Sequence, residues 1–272
     1  MTGALLGRSP LALSYGMGVD STAVLVGWWR RGIRPDWIGH AQVGNEWPET
    51  YDYRPIIDEW LIRVGFPTIT DVQYVVQRPK HGHYSTLEEN CLVNETLPSL
   101  AFGYKKCSLK WKGQPLDAAC EDYFAAHVAA GGKVRRAIGY DAGPCDSRRG
   151  GVETDGPWTW EYPLREWGWD RDRCAAEIAR AGLPVPPKSA CFFCPSTKPA
   201  ELIQLARRHP DLARRAIELE DRARPHLTKI EGLWGTGVKG TRGGEKKPGS
   251  WRVFLTEHAP EVLPENAAKE LP

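Results

Sequence analysis

Apolar stretches at 11–14, 37–43, 71–77 and 134–139 alternate along the chain with segments of helical period at 20–31, 51–64, 115–130 and 170–182. Parallel strands need long crossovers, and a sheet built from them is covered by helices on both faces, so this alternation is the pattern of βαβ units. It predicts an α/β fold with a doubly wound parallel sheet. Ligands in such sheets bind outside the carboxyl ends of the strands, where Ser14–Ser21, Gly44–Tyr51 and Gly139–Arg149 would converge. Two more helices, broken at Pro210, are expected between Pro199 and Arg224. Their mixed charges, Arg207, Arg208, Arg214 and Arg215 among Glu218, Glu220 and Asp221, read as a solvated face, with a partner surface as the alternative. The expected division is an α/β domain over 1–165, with the ligand site at its strand ends, and a helical region over 166–272 that carries a C-x-x-C and ends in a flexible basic tail.

Composition narrows the class without naming it. The chain has 272 residues, 26% charged and 41% hydrophobic, enough for one large core. Met1 to Ser14 carries no cationic region followed by a long apolar segment, and no run of eighteen apolar residues occurs, so a cytoplasmic location is expected. The seven cysteines then read as thiols or ligands rather than disulfides. A net charge of +2 implies little general affinity for nucleic acid.

The first strand runs into Ser14-Tyr15-Gly16-Met17-Gly18-Val19-Asp20-Ser21-Thr22 and then into a helix. Glycines at 16 and 18 would turn with positive φ and admit a phosphate to the free N–H groups of that helix, with the hydroxyls of Ser14 and Ser21 as further donors. An ordinary strand-to-helix turn is the competing reading. No Gly-Lys-Ser/Thr follows, and the three-glycine dinucleotide pattern is absent.

The segment resembles the PP-loop, Ser-Gly-Gly-x-Asp-Ser, of enzymes that split ATP between the α and β phosphates, although Met17 and an extra glycine stretch the pattern. Gly44-Asn45-Glu46-Trp47-Pro48-Glu49-Thr50-Tyr51 is similar to the Asp-Thr-Gly-x-x-Phe-Pro-Glu-Thr-Tyr segment of the PAPS reductase family, with Val43 and Trp47 as departures. Ile138–Arg149 resembles that family's Gly-x-Arg-x-x-Glu-Ser-x-x-Arg stretch, with Tyr140 in place of the first Arg. Tyr162–Trp167 and Ala181–Pro187 resemble its Pro-Leu-x-x-Trp and Gly-Leu-Pro-x-x-Pro. The resemblance implies ATP and Mg²⁺ as ligands, with Ser14, Tyr15, Gly16, Gly18, Asp20, Ser21, Gly44, Glu46, Gly139 and Arg149 around the nucleotide. It also implies Asp20, Ser21, Lys110 and Arg148 as catalytic groups; Lys110 and Lys112 read equally well as solvated cations.

Cys191-Phe192-Phe193-Cys194-Pro195 has the C-x-x-C spacing that brings two thiolates to one metal from a tight turn. Cys107, in a segment resembling Cys-Cys-x-x-Arg-Lys-x-x-Pro-Leu of the cluster-bearing members of the family, is the expected third ligand. Ser108 stands where those members have a second Cys, so a [4Fe–4S] cluster would keep one open iron, unless Cys145 supplies a fourth thiolate. A structural Zn²⁺ with His81, His83 or a spare cysteine is the alternative, as is no metal. Cys91, Cys120 and Cys174 read as small fillers of apolar gaps.

Members of the family that reduce sulfonucleotides attack with a cysteine near the C-terminus, and none follows Cys194 here. The resemblance therefore implies an ATP pyrophosphatase that adenylates an acceptor for sulfur transfer, with a cysteine desulfurase as donor. It is similar to the ATP pyrophosphatases of DNA phosphorothioation systems and, within the same chemistry, to enzymes that thiolate tRNA. The basic segment Lys239–Arg252, with Trp251 to stack on a base, points to a nucleic-acid acceptor; a linker is the plain reading. A sulfonucleotide reductase with a non-standard nucleophile and a non-catalytic nucleotide-binding component are the alternatives. The tryptophans fit either a core or a homodimer interface. No membrane association is expected.

Overall fold

A computed structural model describes residues 8–77, 82–144, 146, 156–237 and 248–263. In chain order the first elements are β1 (Leu11–Ser14), α1 (Val19–Arg30), β2 (Trp37–Gln42), α2 (Pro48–Arg63) and β3 (Ile69–Gln73). Then come α3 (Leu87–Val93), α4 (Lys106–Ser108), a π-helical turn (Leu109–Gly113), α5 (Gln114–Tyr123) and α6 (Ala125–Ala129). The remainder is β4 (Val134–Ala137), β5 (Trp158–Glu161), α7 (Pro163–Glu166), α8 (Arg171–Arg180), α9 (Pro199–Arg208), α10 (Pro210–Ala223) and α11 (Trp251–His258). Two compact units interleave along the chain: residues 1–42, 46–74 and 112–189 form one, residues 43–45, 75–111 and 190–272 the other. Residues 166–189, expected with the C-terminal region, pack in the first unit.

The first unit is an α/β fold around a five-stranded sheet, order β3-β2-β1-β4-β5, in which every pairing is parallel. The chain steps outward from β1 through β2 to β3, then returns to add β4 and β5 on the other side, so its direction reverses between β1 and β4. Alternation along β1 sends Leu11 and Leu13 into one core with Val24, Leu25, Ile57 and Ile178, and Ala12 into the other with Trp37, Leu116 and Phe124. Both faces are covered, as a parallel sheet requires. β3 lies at 69–73 rather than 71–77, and β5 was not foreseen: four residues rich in tryptophan carry no decisive period.

Helix α1 is buried along most of its length, from Val19 to Trp28, because it packs against α8 as well as the sheet. At Gly27 an added Cβ would stand 2.0 Å from the Trp167 ring, on which the Arg31 guanidinium lies at 4.0 Å. Gly27→Ala is therefore expected to cost about 1–3 kcal/mol through overpacking, read from the urea midpoint; an unchanged midpoint would mean that Trp167 swings aside freely.

In the second unit α3 starts with a capping box: Thr86 accepts from the Glu89 N–H, and Glu89 accepts from Thr86. Helices α9 and α10 both open with proline at the first turn, as Pro199 and Pro210 foretold. Glu220 of α10 is 1% exposed and accepts from the N–H of Leu233, Trp251 and Arg252 and from Ser250 Oγ. That carboxylate pins the start of α11, and it corrects the reading of Glu220 as part of a solvated face. Trp251 is 0% exposed and packs beside Trp234, so it offers no surface on which a base could stack. Burial of a large ring outweighs the polar setting of its neighbours in sequence. Of the expected basic tail, residues 239–247 lie outside the described residues. Among the described residues no helix is long and apolar enough to cross a membrane.

Candidate nucleotide and metal sites

The loop from β1 to α1 stands at the carboxyl end of β1, beside the end of β4, where the direction of the sheet reverses. Its left-handed residue is Met17, φ +56, and not either glycine; Gly18 is extended at φ −102. Met17 holds this conformation because its side chain is 2% exposed in the core, so burial offsets a backbone cost of about 1–2 kcal/mol. Ser21 Oγ accepts from the Gly16 N–H at 3.2 Å and donates to the Gly18 carbonyl at 3.3 Å, which ties the loop into a ring. Gly18 caps α1 without a side chain, and the first N–H groups of the twelve-residue helix have no intrahelical partner. Gly139, just after β4, comes so near that a Cβ there would lie 2.9 Å from the Ser21 nitrogen, so only glycine allows this approach.

Beneath the loop the side chains are locked. Arg136 of β4, 2% exposed, donates to Ser14 Oγ at 2.9 Å, pairs with Asp117 and lies over the rings of Trp158 and Trp160. Tyr15 turns its ring into the core, where its hydroxyl meets Thr22 Oγ1 at 3.0 Å and burial pushes its pKa far up, so only its backbone belongs to the loop. His40 donates from Nδ1 to the Tyr15 carbonyl; burial pulls its pKa down and keeps it neutral. Glu46, 5% exposed, pairs with Lys112 Nζ at 2.7 Å, which corrects the reading of Lys112 as a solvated cation. Ser189 donates to the Gly16 carbonyl and lies 3.4 Å from Glu46 Oε2, linking loop and carboxylate. Sequence reasoning missed Arg136, His40 and Ser189, since a lone residue of each type in a strand or loop carries no pattern.

At the mouth of the loop Asp20, Asp141 and Asp146 each offer one oxygen within 4.8 Å of the others, and Asp20 also pairs with Arg171 Nη1 at 2.8 Å. Asp141 is steadied by the Gly143 N–H. Burial pushes the Asp20 carboxyl above its ordinary range; Arg171 pulls it back, while Asp141 and Asp146 push it further. Three carboxylates are a hard donor set of the kind Mg²⁺ takes. A raised pKa means that a proton competes with a cation for Asp20 until the pH passes that raised value. Mg²⁺ affinity is therefore expected to climb as pH rises from the ordinary carboxylate range and to level off above it. Calorimetry in two buffers of different ionisation enthalpy would detect the released proton; affinity independent of pH would remove Asp20 from the site. The two further aspartates carry a sequence signal, as carboxylates in a loop just after a strand.

Arg148 and Arg149 lie outside the described residues, as do Cys145 and His81. Gly44 and Lys110 belong to the second unit. Gly44 has φ +77, and a Cβ there would stand 2.7 Å from Thr86 Cγ2, which explains the glycine by local packing at the start of α3. Lys110 borders a cavity of about 260 Å³ with Leu87, Asn90, Ser99, Cys107 and Trp111.

The second unit holds Cys107, Cys191 and Cys194, all half-buried. The C-x-x-C segment is a tight turn: the Cys194 N–H donates to the Cys191 carbonyl at 3.1 Å, the Thr197 N–H to that of Cys194 at 2.9 Å. Cys194 Sγ lies 3.0 Å from Ser196 Oγ, and the Cys107 N–H donates to Ser99 Oγ. Among the described residues no three thiols lie within 4.8 Å of one another. One Zn²⁺, with bonds of about 2.3 Å, would need its sulfurs within about 4.6 Å, so the described cysteines are not arranged to hold a metal. Cys120 and Cys174, both in the first unit, are 0% exposed and burial pushes each thiol up to about 12, which fits inert filling of the core.

No protein-family model matches the chain, and no curated protein sequence matches it either.

Proposed function

We propose that the chain is an ATP pyrophosphatase of the PP-loop kind, which adenylates an acceptor so that sulfur can replace the activated oxygen. The observation that carries this reading is the meeting of the Ser21-tied loop, Gly139 and the Asp20, Asp141 and Asp146 carboxylates at the switch point of a parallel sheet. Open N–H groups at the start of α1 would hold the β and γ phosphates, and the three carboxylates would seat Mg²⁺ against them. The acceptor oxygen attacks the α phosphorus, the bond to the bridging oxygen breaks, and pyrophosphate leaves. A sulfur nucleophile then takes the place of that oxygen, which departs with AMP. Positioning and charge neutralisation supply the rate, and Arg136, paired with Asp117, holds the Ser14 hydroxyl in place. Arg148 and Arg149 are kept as phosphate ligands on the resemblance alone.

An iron–sulfur cluster on Cys107, Cys191 and Cys194 is kept on the resemblance alone, since among the described residues no three thiols come within 4.8 Å of one another, and no step is routed through it. The acceptor proposed is a nucleic acid, and the sulfur donor a cysteine desulfurase. Incubating the full chain with Mg²⁺, DNA or tRNA, and ATP labelled at the α and γ phosphates tests the reading. AMP and pyrophosphate support it; ADP and phosphate overturn it, and sulfite released from adenylyl sulfate would replace it with a reductase.

A further inference from the structure

The cavity of about 260 Å³ in the second unit takes no part in the chemistry proposed above, and it is built from two helical faces and a turn. Leu87 and Asn90 stand three residues apart on α3, while Lys106, Cys107, Lys110 and Trp111 have the i, i+1, i+4, i+5 spacing that gathers side chains on one side of α4 and the π-helical turn. Single π-turns of this kind recur at functional sites, and this one carries Lys110 and Trp111. The segment from Thr96 to Phe102 closes the remaining side. It is entered through Glu95 at φ +47, which with Met17 of the β1–α1 loop makes the two non-glycine residues of positive φ among those described. Ser99 Oγ accepts from the Cys107 N–H at 2.7 Å and the Ser99 carbonyl accepts from the Tyr104 N–H at 3.0 Å, so the turn is fastened to α4 and the cavity is pre-formed.

The lining decides the ligand. Lys106 and Lys110 border the cavity and no carboxylate does, so an anion is favoured. Four residues apart on one face, their Cβ atoms stand about 5–6 Å apart, close enough to share one phosphate. Leu97 and Trp111 are buried and form an apolar floor, with the Trp111 ring steadied by Tyr84 at 6.4 Å between centroids. Phe102, 39% exposed, adds a second ring where the cavity opens. Asn90 brings an amide that both donates and accepts. Aromatic walls hold a base by stacking, an amide reads its edge, and lysines hold its phosphate. We propose that this cavity takes one nucleoside monophosphate unit, with the base against Trp111 and Phe102 and the phosphate at Lys106 and Lys110. The unit comes from a nucleic-acid strand, turned out of its stack, or as a free mononucleotide. The inference stands apart from the pyrophosphatase reading; a strand as source would give the proposed acceptor a place to bind.

The test uses the full chain and 5-iodouracil as a photoreactive base, offered in a single-stranded oligonucleotide and as free 5-iodo-dUMP. Irradiation is expected to crosslink the base to Phe102 or Trp111, read by mass spectrometry of the peptides. Crosslinks confined to other segments would overturn the proposal, as would none from either probe. Crosslinking from the oligonucleotide alone names a strand as the source, and crosslinking from the free nucleotide names a mononucleotide; both support the site. Lys106→Gln is expected to lower the slope of log K against log salt by about 0.7, the share of one phosphate on a single strand, and so to weaken oligonucleotide binding about 5-fold at 0.1 M salt. Asn90→Leu is expected to keep that slope and bind about 5-fold more weakly. Unchanged affinity in both variants would overturn the proposal, as would an oligonucleotide of abasic sites that binds as tightly as the intact strand. If Asn90→Leu does not fold, the crosslink map decides. Asp20→Asn separates the two readings, since it is expected to stop pyrophosphate release and leave the crosslink intact. A crosslink at Phe102 or Trp111 in a protein that releases no pyrophosphate would sink the proposed activity and leave this inference standing; pyrophosphate release without the crosslink would do the reverse.

Discussion

Asp20→Asn is expected to lower the rate of pyrophosphate release from ATP by about 10²–10³-fold and to weaken Mg²⁺ binding, with no loss of thermal stability. The substitution keeps the shape of the side chain and removes the charge that meets Asp141 and Asp146. Because burial holds the Asp20 carboxyl above its ordinary range, its ionised form weakens the fold at neutral pH, net of the Arg171 pair. A neutral isostere therefore leaves stability equal or raised. That split distinguishes a cation-placing residue from a structural one. Initial rates across a Mg²⁺ titration, read beside the melting temperature, measure both. A variant that melts early and turns over normally at saturating Mg²⁺ would assign Asp20 to the framework instead.

Glu220→Ala is expected to destabilise the second unit by about 3–5 kcal/mol, the largest effect foreseen away from the β1–α1 loop. Four donors converge on this carboxylate: three backbone N–H groups from Leu233, Trp251 and Arg252, and the Ser250 hydroxyl. Alanine leaves all four buried and unpaired. Burial pushes the carboxyl above its ordinary range, and the four donors pull it part of the way back. Gly232 is part of the same design, since a Cβ there would stand 2.3 Å from Glu220 Oε1. Glu220→Gln is expected to fall between wild type and alanine, because one oxygen still accepts while the amide nitrogen faces N–H groups. Urea unfolding followed by tryptophan fluorescence reads both, with Trp234 and Trp251 beside the network. Equal midpoints for alanine and wild type would show that the segment after Leu233 is held by packing alone.

Hydrophobic period made most of the first unit legible. Runs at 11–14 and 37–43 became β1 and β2, and helical periods at 20–31, 51–64 and 170–182 became α1, α2 and α8, because those elements bury one defined face or are buried throughout. β5 escaped, since a four-residue edge strand is specified by its neighbour β4 more than by its own alternation. The glycine pattern located the loop at 16–18 and misassigned its conformation, because the buried thioether of Met17 supplies the energy that glycine would otherwise make unnecessary. Tyr15 was placed at the nucleotide by its position in sequence, yet the pleat of β1 directs its ring to the core. Trp251 was read as exposed because its neighbours in sequence are basic and glycine-rich, and burial against Trp234 reverses that.

By itself the sequence determined the alternation of strands and helices, the place of the loop after the first strand, and the spacing of the C-x-x-C turn; these are local, and period and spacing record them directly. The tertiary structure alone decided that Asp141 and Asp146 join Asp20, that Arg136 supports Ser14 from 122 residues away, and that Asn45 ties the Phe192 backbone to Glu88 of α3. Such meetings depend on which strands lie side by side and which loops cross, so their residues are far apart along the chain and no local pattern joins them.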